Sequence, residues 1–366
     1  MTERKNIAVI GAGVAGIVAA HVLQRRHNVE LFERNAYLGG HTNTVVIEHG
    51  PDAGTPVDTG FIVLNDKTYP NFHAFLSQLS VPVRYADMSF SYCCERTGLQ
   101  YAGTTISGLF AQRKNLLSPR FLGFLADLAR FAKRAVRDLQ RDEIPPVTLG
   151  QYLADGGYSS AMVEEYLLPM GSAIWSSPRD EIREFPAQTF IRFFANHGLL
   201  SFKNRPLWQT VVGGSHSYVK RFAETFSGTV TLNAGILGVH RLDQGVELLF
   251  EGDRRKRYDA VVLATHADEA LSLLLDPTED EQRLLGQWRY EINHTVLHTD
   301  VSALPPNPRA WASWNYIREE GAAPSDPASV TYHMNRLQGL KTQAEYCVTL
   351  NRRKPVRVDR VLREFN

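Results

Sequence analysis

The opening of the chain limits its fold more than any other part. An apolar run from Ile7 to Ile10 meets Gly11, Gly13 and Gly16 in the string GAGVAG, a helical pattern continues through Leu23, and VELFE ends on Glu33. Strand, glycine turn, helix and strand in that order predict a βαβ unit at the start of a parallel sheet. Gly11 permits the tight turn, Gly13 lets backbone N–H groups approach a pyrophosphate, and Gly16 lets the helix lie close on the sheet. Ala12, Val14 and Ala15 complete the turn and the first helical residues, whose unpaired N–H groups and dipole favour an anion. Glu33 stands twenty residues beyond Gly13, where a carboxylate can accept hydrogen bonds from both ribose hydroxyls and would repel a 2′-phosphate. A dinucleotide other than NADP is therefore expected. Glycine turns of this kind also arise for packing alone, but here strand, helix and terminal Glu fall in register.

The residues after Glu33 bear on which dinucleotide. Arg34 follows, and then LGGHTNT, in which Gly39 and Gly40 precede His41 and Thr42. An NAD site requires nothing here. A flavin site needs the chain to run close along the pyrophosphate toward the isoalloxazine, and paired glycines supply backbone without side-chain bulk.

GAGVAG, ELFER, LGGHT and VDTGF at Val57 to Phe61 together resemble the superfamily of flavin-containing amine oxidases, phytoene desaturases and protoporphyrinogen oxidases. Within it the chain is most similar to a bacterial branch of NAD/FAD-binding proteins associated with enzymes that modify fatty acyl chains. The resemblance implies FAD as cofactor, with Gly60 and Phe61 of VDTGF among its contacts. It also implies that the strand after NAG brings Ile236 to the adenine and that VVLATH places Ala264 and Thr265 near the dinucleotide. Gly213 and Gly214 match a turn before a helix of the nucleotide domain. Most members carry Arg or Lys after the glycine pair; His41 stands there in this chain, which leaves only the backbone role intact.

The implied fold is α/β, a Rossmann-like FAD-binding domain interleaved with an α+β substrate domain. Residues 1–75 and 207–285 would form the first, with 76–206 and 286–366 forming the second. The implied chemistry is removal of hydride from a C–H bond of an apolar substrate, with desaturation or a related redox step on a fatty acyl chain favoured and oxidation of a small amine as the alternative. Flavin chemistry needs no obligatory side-chain acid or base, so no catalytic residue is nominated.

A net charge of +1 and 43% hydrophobic residues give no global case for nucleic acid and exclude a mainly disordered chain. Three cysteines, two of them adjacent at Cys93 and Cys94, show neither a disulfide framework nor metal-ligand spacing. The expected location is the cytoplasm, because MTERKN runs straight into a strand and no apolar run of about 18 residues occurs. Oligomeric state is left open.

Between the nucleotide segments, TYPNFHAFLSQLSVP predicts a short helix, and Arg96-Thr97-Gly98 turns a hairpin. From Pro119 to Arg141 apolar residues such as Phe121, Phe124, Leu128 and Phe131 recur at helical spacing, while Arg130, Lys133, Arg134, Arg137 and Arg141 occupy other positions. Such a helix can lie on anionic lipid, giving peripheral membrane contact, or face a core with a solvated basic back. A further helical stretch is expected over Leu149 to Leu168, and Trp175 could line an apolar channel or belong to plain core. Asp243-Gln244-Gly245 turns a hairpin, and Ala260 to Ala264 reads as a buried strand.

The resembling proteins normally continue past the equivalent of VLREFN with a strand and a helix that bring another glycine turn to the flavin. Without those contacts FAD retention is expected to be weaker. A non-catalytic nucleotide-fold scaffold is the competing expectation.

Overall fold

The computed structural model describes residues 3–201 and 204–365; Met1, Thr2, Phe202, Lys203 and Asn366, at the edges of the expected segments, lie outside the described residues. Asn6–Ile10 is an inner strand of a four-stranded parallel sheet, bonded to Asn28–Phe32 on one side and Ala260–Leu263 on the other. Thr229–Thr231 extends the sheet beyond Asn28–Phe32. A parallel sheet is covered on both faces, and the strand composition follows that demand. Val9 and Leu31 turn to one side, where Ile17 and Ala20 of the Val14–Leu23 helix meet Tyr218 and Phe222 of the His216–Thr225 helix. Ala8, Ile10 and Phe32 turn to the other, against Val239, Leu248 and Phe250 of an antiparallel three-stranded meander. The Asp243 hairpin expected from the sequence joins two strands of that meander. Ala260–Leu263 is half-buried at all four positions rather than buried. The cause is its place at the sheet edge, with one flank unpaired.

A second sheet has seven strands and mixed direction. Its order runs Val361–Phe365, Thr295–His298, Cys347–Leu350, Val330–His333, Trp314–Arg318, Phe90–Cys94 and Gln100–Ala102. The expected hairpin at Arg96-Thr97-Gly98 supplies its last two strands. Ile47, Val57 and Ile62 from the nucleotide side pack with Leu297, Met334, Tyr346 and Val348 of this half, so one apolar layer ties the halves together. The short helix forms at Pro70–Gln78 and buries Phe75 and Leu76 in the nucleotide-side core. Val83–Tyr85 then pairs with Trp208–Val211. The nucleotide side thus continues past residue 75, and the chain enters the second sheet at Phe90.

Helices over residues 119–196 cover one face of that second sheet. The Pro119–Gln140 helix starts at a Ser118 side-chain cap and buries Phe121, Phe124, Phe131 and Ala135 in the helical core. Its basic back is largely paired: Arg130 with Asp127, and Arg134 and Arg137 with Asp138. The apolar face considered for lipid contact is therefore occupied by protein. The helical stretch expected from Leu149 to Leu168 is broken instead at Gly156 and Gly157, then resumes through a π-helical turn at Val163–Leu167 and runs on to Trp175. Gly157 has φ +57, a conformation that ends helices. Trp175, half-buried, packs against the helical core with its ring centroid 4.8 Å from Phe193, 5.0 Å from Phe185 and 5.6 Å from Phe190.

Candidate cofactor cleft

Above the carboxyl ends of the parallel strands lies a cavity of about 990 Å³, where ligands bind in open α/β sheets. Two glycine runs cross face to face on its floor. Gly13 caps the Val14–Leu23 helix in an extended conformation with no side-chain cap, so the first-turn N–H groups are left for a ligand. A Cβ on Gly13 would meet nothing nearer than Gly40 Cα at 4.0 Å, whereas one on Gly40, at φ +57, would stand 2.9 Å from Gly13 Cα. A side chain is thus excluded at Gly40, where the two runs meet, while the open side of Gly13 faces the cavity. Gly39 N donates to Ala12 O at 2.9 Å, which locks the runs together.

Glu33 is buried at the end of its strand. Its Oε2 accepts a hydrogen bond from Ala12 N and its Oε1 from Asn35 N and Nδ2, each at 2.9 Å. The carboxylate is held by the glycine turn itself; three of its four lone-pair sites are taken, which leaves one on Oε2 for a ligand, and the residue lines the cavity. Arg34 pairs with Glu269 at 2.5 Å across the mouth. Arg34 is 73% exposed, so this pair adds little stability. His41 stacks on His266 with centroids 5.3 Å apart, and His266 stacks on Tyr290 at 4.1 Å. Ala267 N donates to the Tyr290 hydroxyl, which fixes the outer ring of the stack.

Beyond the glycine pair the wall becomes aromatic. Phe61, Tyr69, Phe72 and Tyr218 line it, with Phe72 edge-on to both Phe61 at 5.4 Å and Tyr218 at 5.5 Å. Tyr218 OH and Thr42 Oγ1 share a hydrogen bond of 2.5 Å. Burial pushes the Tyr218 phenol up to about 12 and also raises Tyr69, so both rings present neutral hydroxyls.

Of the residues expected at a cofactor, Gly11, Gly13, Val14, Ala15, Glu33, Arg34, Gly39, Gly40, His41, Thr42, Phe61, Ile236, Ala264 and Thr265 line this cavity. Ala12, Gly16 and Gly60 do not, because all three serve the backbone beneath it. Ala12 bonds Glu33 and Gly39; Cβ atoms on Gly16 and Gly60 would stand 1.8 Å from Gly11 O and 1.9 Å from His41 O. Sequence reasoning missed Tyr69, Phe72, Tyr218, His266 and Glu269. Phe72 lies in the expected short helix and Tyr69 caps it, but nothing along the chain says that this end of the helix meets Tyr218. Among the described residues no cluster of His, Cys, Asp or Glu could hold a metal ion, and no helix is long and apolar enough to cross a membrane.

A dinucleotide fits these residues, with bare backbone at the floor, an uncapped helix N-terminus and a buried carboxylate at the strand end. Solved structures of the same fold include a double mutant of putrescine oxidase, at 17% identity and a TM-score of 0.68, with 95% of this chain and 75% of that one covered. A CLA-producing fatty acid isomerase from P. acnes matches at 15% identity and 0.66, covering 97% of this chain and 78% of that one. Cyclohexylamine oxidase from Brevibacterium oxydans IH-35A matches at 16% and 0.66, covering 95% and 75%. The curated proteins include no significant match. The sequence pattern of flavin containing amine oxidoreductases matches residues 14–307, four-fifths of the length, and the chain belongs to that family.

Proposed function

We propose that this chain binds FAD in the cleft and acts as an oxidoreductase that removes hydride from a C–H bond of an apolar substrate, a fatty acyl chain being the favoured class. The observation that carries the reading is the single cleft that joins a nucleotide cradle at Gly13, Gly40 and Glu33 to the aromatic wall of Phe61, Tyr69, Phe72 and Tyr218. Flavin, when bound, supplies a hydride acceptor. The first-turn N–H groups after Gly13 would hold the diphosphate, Glu33 the ribose, and backbone at Ile236 the adenine. The aromatic wall excludes water and gives an apolar chain a surface to lie on. Tyr218 and Tyr69 stay neutral, so neither adds a charge to that surface.

The acyl-chain preference over an amine rests on the charges in the cleft. Among the described lining residues its two carboxylates are Glu33, held by Ala12 and Asn35, and Glu269, paired with Arg34. Neither belongs to the aromatic side, so no described lining carboxylate there attracts an ammonium group. The fold alone decides nothing here, since amine oxidases and a fatty acid isomerase share it.

The test is anaerobic mixing of the FAD-reconstituted protein with acyl phospholipids and with a panel of primary amines, followed by flavin absorbance. Bleaching by the lipid and not by the amines supports the proposal. Bleaching only by amines establishes the alternative substrate, and failure to take up FAD at all favours the non-catalytic scaffold.

A further inference from the structure

From Arg96 to Ala126 the sequence holds Arg96, Arg113, Lys114 and Arg120 and not one Asp or Glu. This acid-free stretch is also where large apolar side chains stand in water. Ile106 is 79% exposed and Leu117 88%, with Leu116 and Leu122 at 46% each. The structure holds the segments that carry them next to one another. Phe110, at the end of the Ile106–Leu109 helix, packs edge-on to Phe121 at 5.8 Å. The Arg113–Leu117 turn runs directly into the Pro119–Gln140 helix at its Ser118 cap. Asn307 Nδ2 donates to Ala111 O at 3.0 Å and so brings the exposed Arg309 alongside. Arg120 is committed to Glu165 through two hydrogen bonds of 2.7 and 3.0 Å. Arg113, Lys114 and Arg309 form no ion pair with any described residue.

We infer that this surface docks the protein onto an anionic lipid bilayer. Exposed apolar side chains are normally scattered singly, and a cluster of them amid uncompensated cations complements a bilayer in both its terms. The cations meet lipid headgroups of opposite charge, and the leucines and isoleucine enter the acyl boundary. Leu117 stands out from a turn rather than lining a groove, which suits insertion into lipid better than a pocketed protein partner. The docking element is therefore the approach to the Pro119–Gln140 helix, while that helix keeps its own apolar face in the core. Docking stands independently of which substrate is oxidised.

The test is flotation of the FAD-incubated protein with vesicles of phosphatidylcholine alone and of equimolar phosphatidylcholine and phosphatidylglycerol. The wild type should float with the anionic vesicles only, and less so as salt rises. Arg113→Gln with Lys114→Gln should weaken binding about tenfold or more, and Ile106→Ser with Leu117→Ser should abolish it. FAD uptake and the unfolding midpoint, measured on the same samples, should not change, because these side chains support neither the cleft nor the core. Failure of the wild type to float with anionic vesicles overturns the inference, as does equal flotation of both variants. Sedimentation showing a wild-type dimer that Leu117→Ser dissociates, without vesicle binding, would assign the surface to a second copy instead.

Discussion

Asp58 and Ser215 meet twice in the core: Ser215 N donates to Asp58 Oδ1 at 2.8 Å, and Ser215 Oγ lies 3.0 Å from Asp58 Oδ2. The same hydroxyl lies 2.6 Å from Phe61 O, which can only accept. A hydroxyl has one proton. When that proton goes to Phe61, the Asp58 contact is satisfied only if Oδ2 carries a proton of its own. The environment agrees, since burial pushes the Asp58 carboxyl up to about 6 against the opposing hydrogen bonds from Thr44 and Ser215. Gln338 closes the cluster by accepting from Asp58 N and donating to Oδ2, so this carboxyl joins the nucleotide side to the second sheet.

Its effect on stability has a definite sign. The native state binds the proton more tightly than the unfolded chain, whose reference value is 3.8. The contribution is therefore full below that value and is lost as pH rises through about 6, an amount on the order of 3 kcal/mol. Asp58→Asn keeps the shape and removes the titration. Urea unfolding across this range should show the wild type losing stability relative to Asp58→Asn as pH rises; parallel curves would refute the assignment.

His298 works in the opposite direction. Asp300 N donates to its Nδ1, so the neutral ring carries its proton on Nε2 and donates to Thr349 at 2.7 Å. Burial pushes its pKa down to about 4 from 6.5. The native state then resists a proton that the unfolded chain takes, and stability is lost as pH falls through that interval, again on the order of 3 kcal/mol. Asp58 and His298 thus offset each other across nearly the same range. His298→Gln should leave a protein that gains stability on mild acidification, whereas Asp58→Asn should leave one that loses it. The same sign of slope in both variants would show that these groups do not control the response.

The contrast between these two residues and the cofactor cradle explains what the sequence reveals. GAGVAG, Glu33 and the Gly39-Gly40 pair are legible because local geometry dictates them, within one βαβ unit and its continuation. The partners of Asp58 come from Thr44, Ser215 and Gln338, and the aromatic wall draws on Phe61, Phe72 and Tyr218. Such convergence depends on how distant segments pack, and periodicity carries no trace of it. The basic amphipathic helix shows the same limit. Its pattern predicted a helix with one apolar face, but whether that face met lipid or protein was settled by Phe121, Phe124 and Phe131 joining the core. Gly156 and Gly157 did carry a visible signal, and reading through them produced the one helix drawn too long.

The crossing of the two glycine runs leads to a sharp test of cofactor binding. Gly13→Val would place a branched side chain on the cavity floor, with room beneath it because its Cβ meets nothing within 4.0 Å except Gly40 Cα. Folding should be little affected and FAD uptake lost. Gly40→Ala instead drives a Cβ to 2.9 Å from Gly13 Cα at a positive φ, so it should lower the unfolding midpoint as well as uptake, the strain being about 1 kcal/mol or more. Equilibrium titration with FAD and thermal unfolding of both variants separate the two effects. Normal uptake by Gly13→Val would mean that the cavity floor is not where the diphosphate lies.

Glu33 supports the glycine turn before any ligand arrives, and its substitutions should differ for that reason. Glu33→Ala removes the acceptor for Ala12 N, which is buried, as well as the acceptor for Asn35 N. An unsatisfied buried donor costs about 1–3 kcal/mol, so this variant should be less stable without cofactor and also bind FAD weakly. Glu33→Gln retains one acceptor oxygen, enough for Ala12 N, but replaces the other with a donor that opposes Asn35 and cannot accept from a ribose hydroxyl. Its cofactor-free stability should fall less, while its FAD affinity should drop about tenfold to a hundredfold, the value of a hydrogen bond to a charged acceptor. Calorimetric titration with FAD alongside urea unfolding of both apo-proteins resolves the two roles. If Glu33→Gln binds FAD as tightly as the wild type, the carboxylate serves the turn alone and the ribose is held elsewhere.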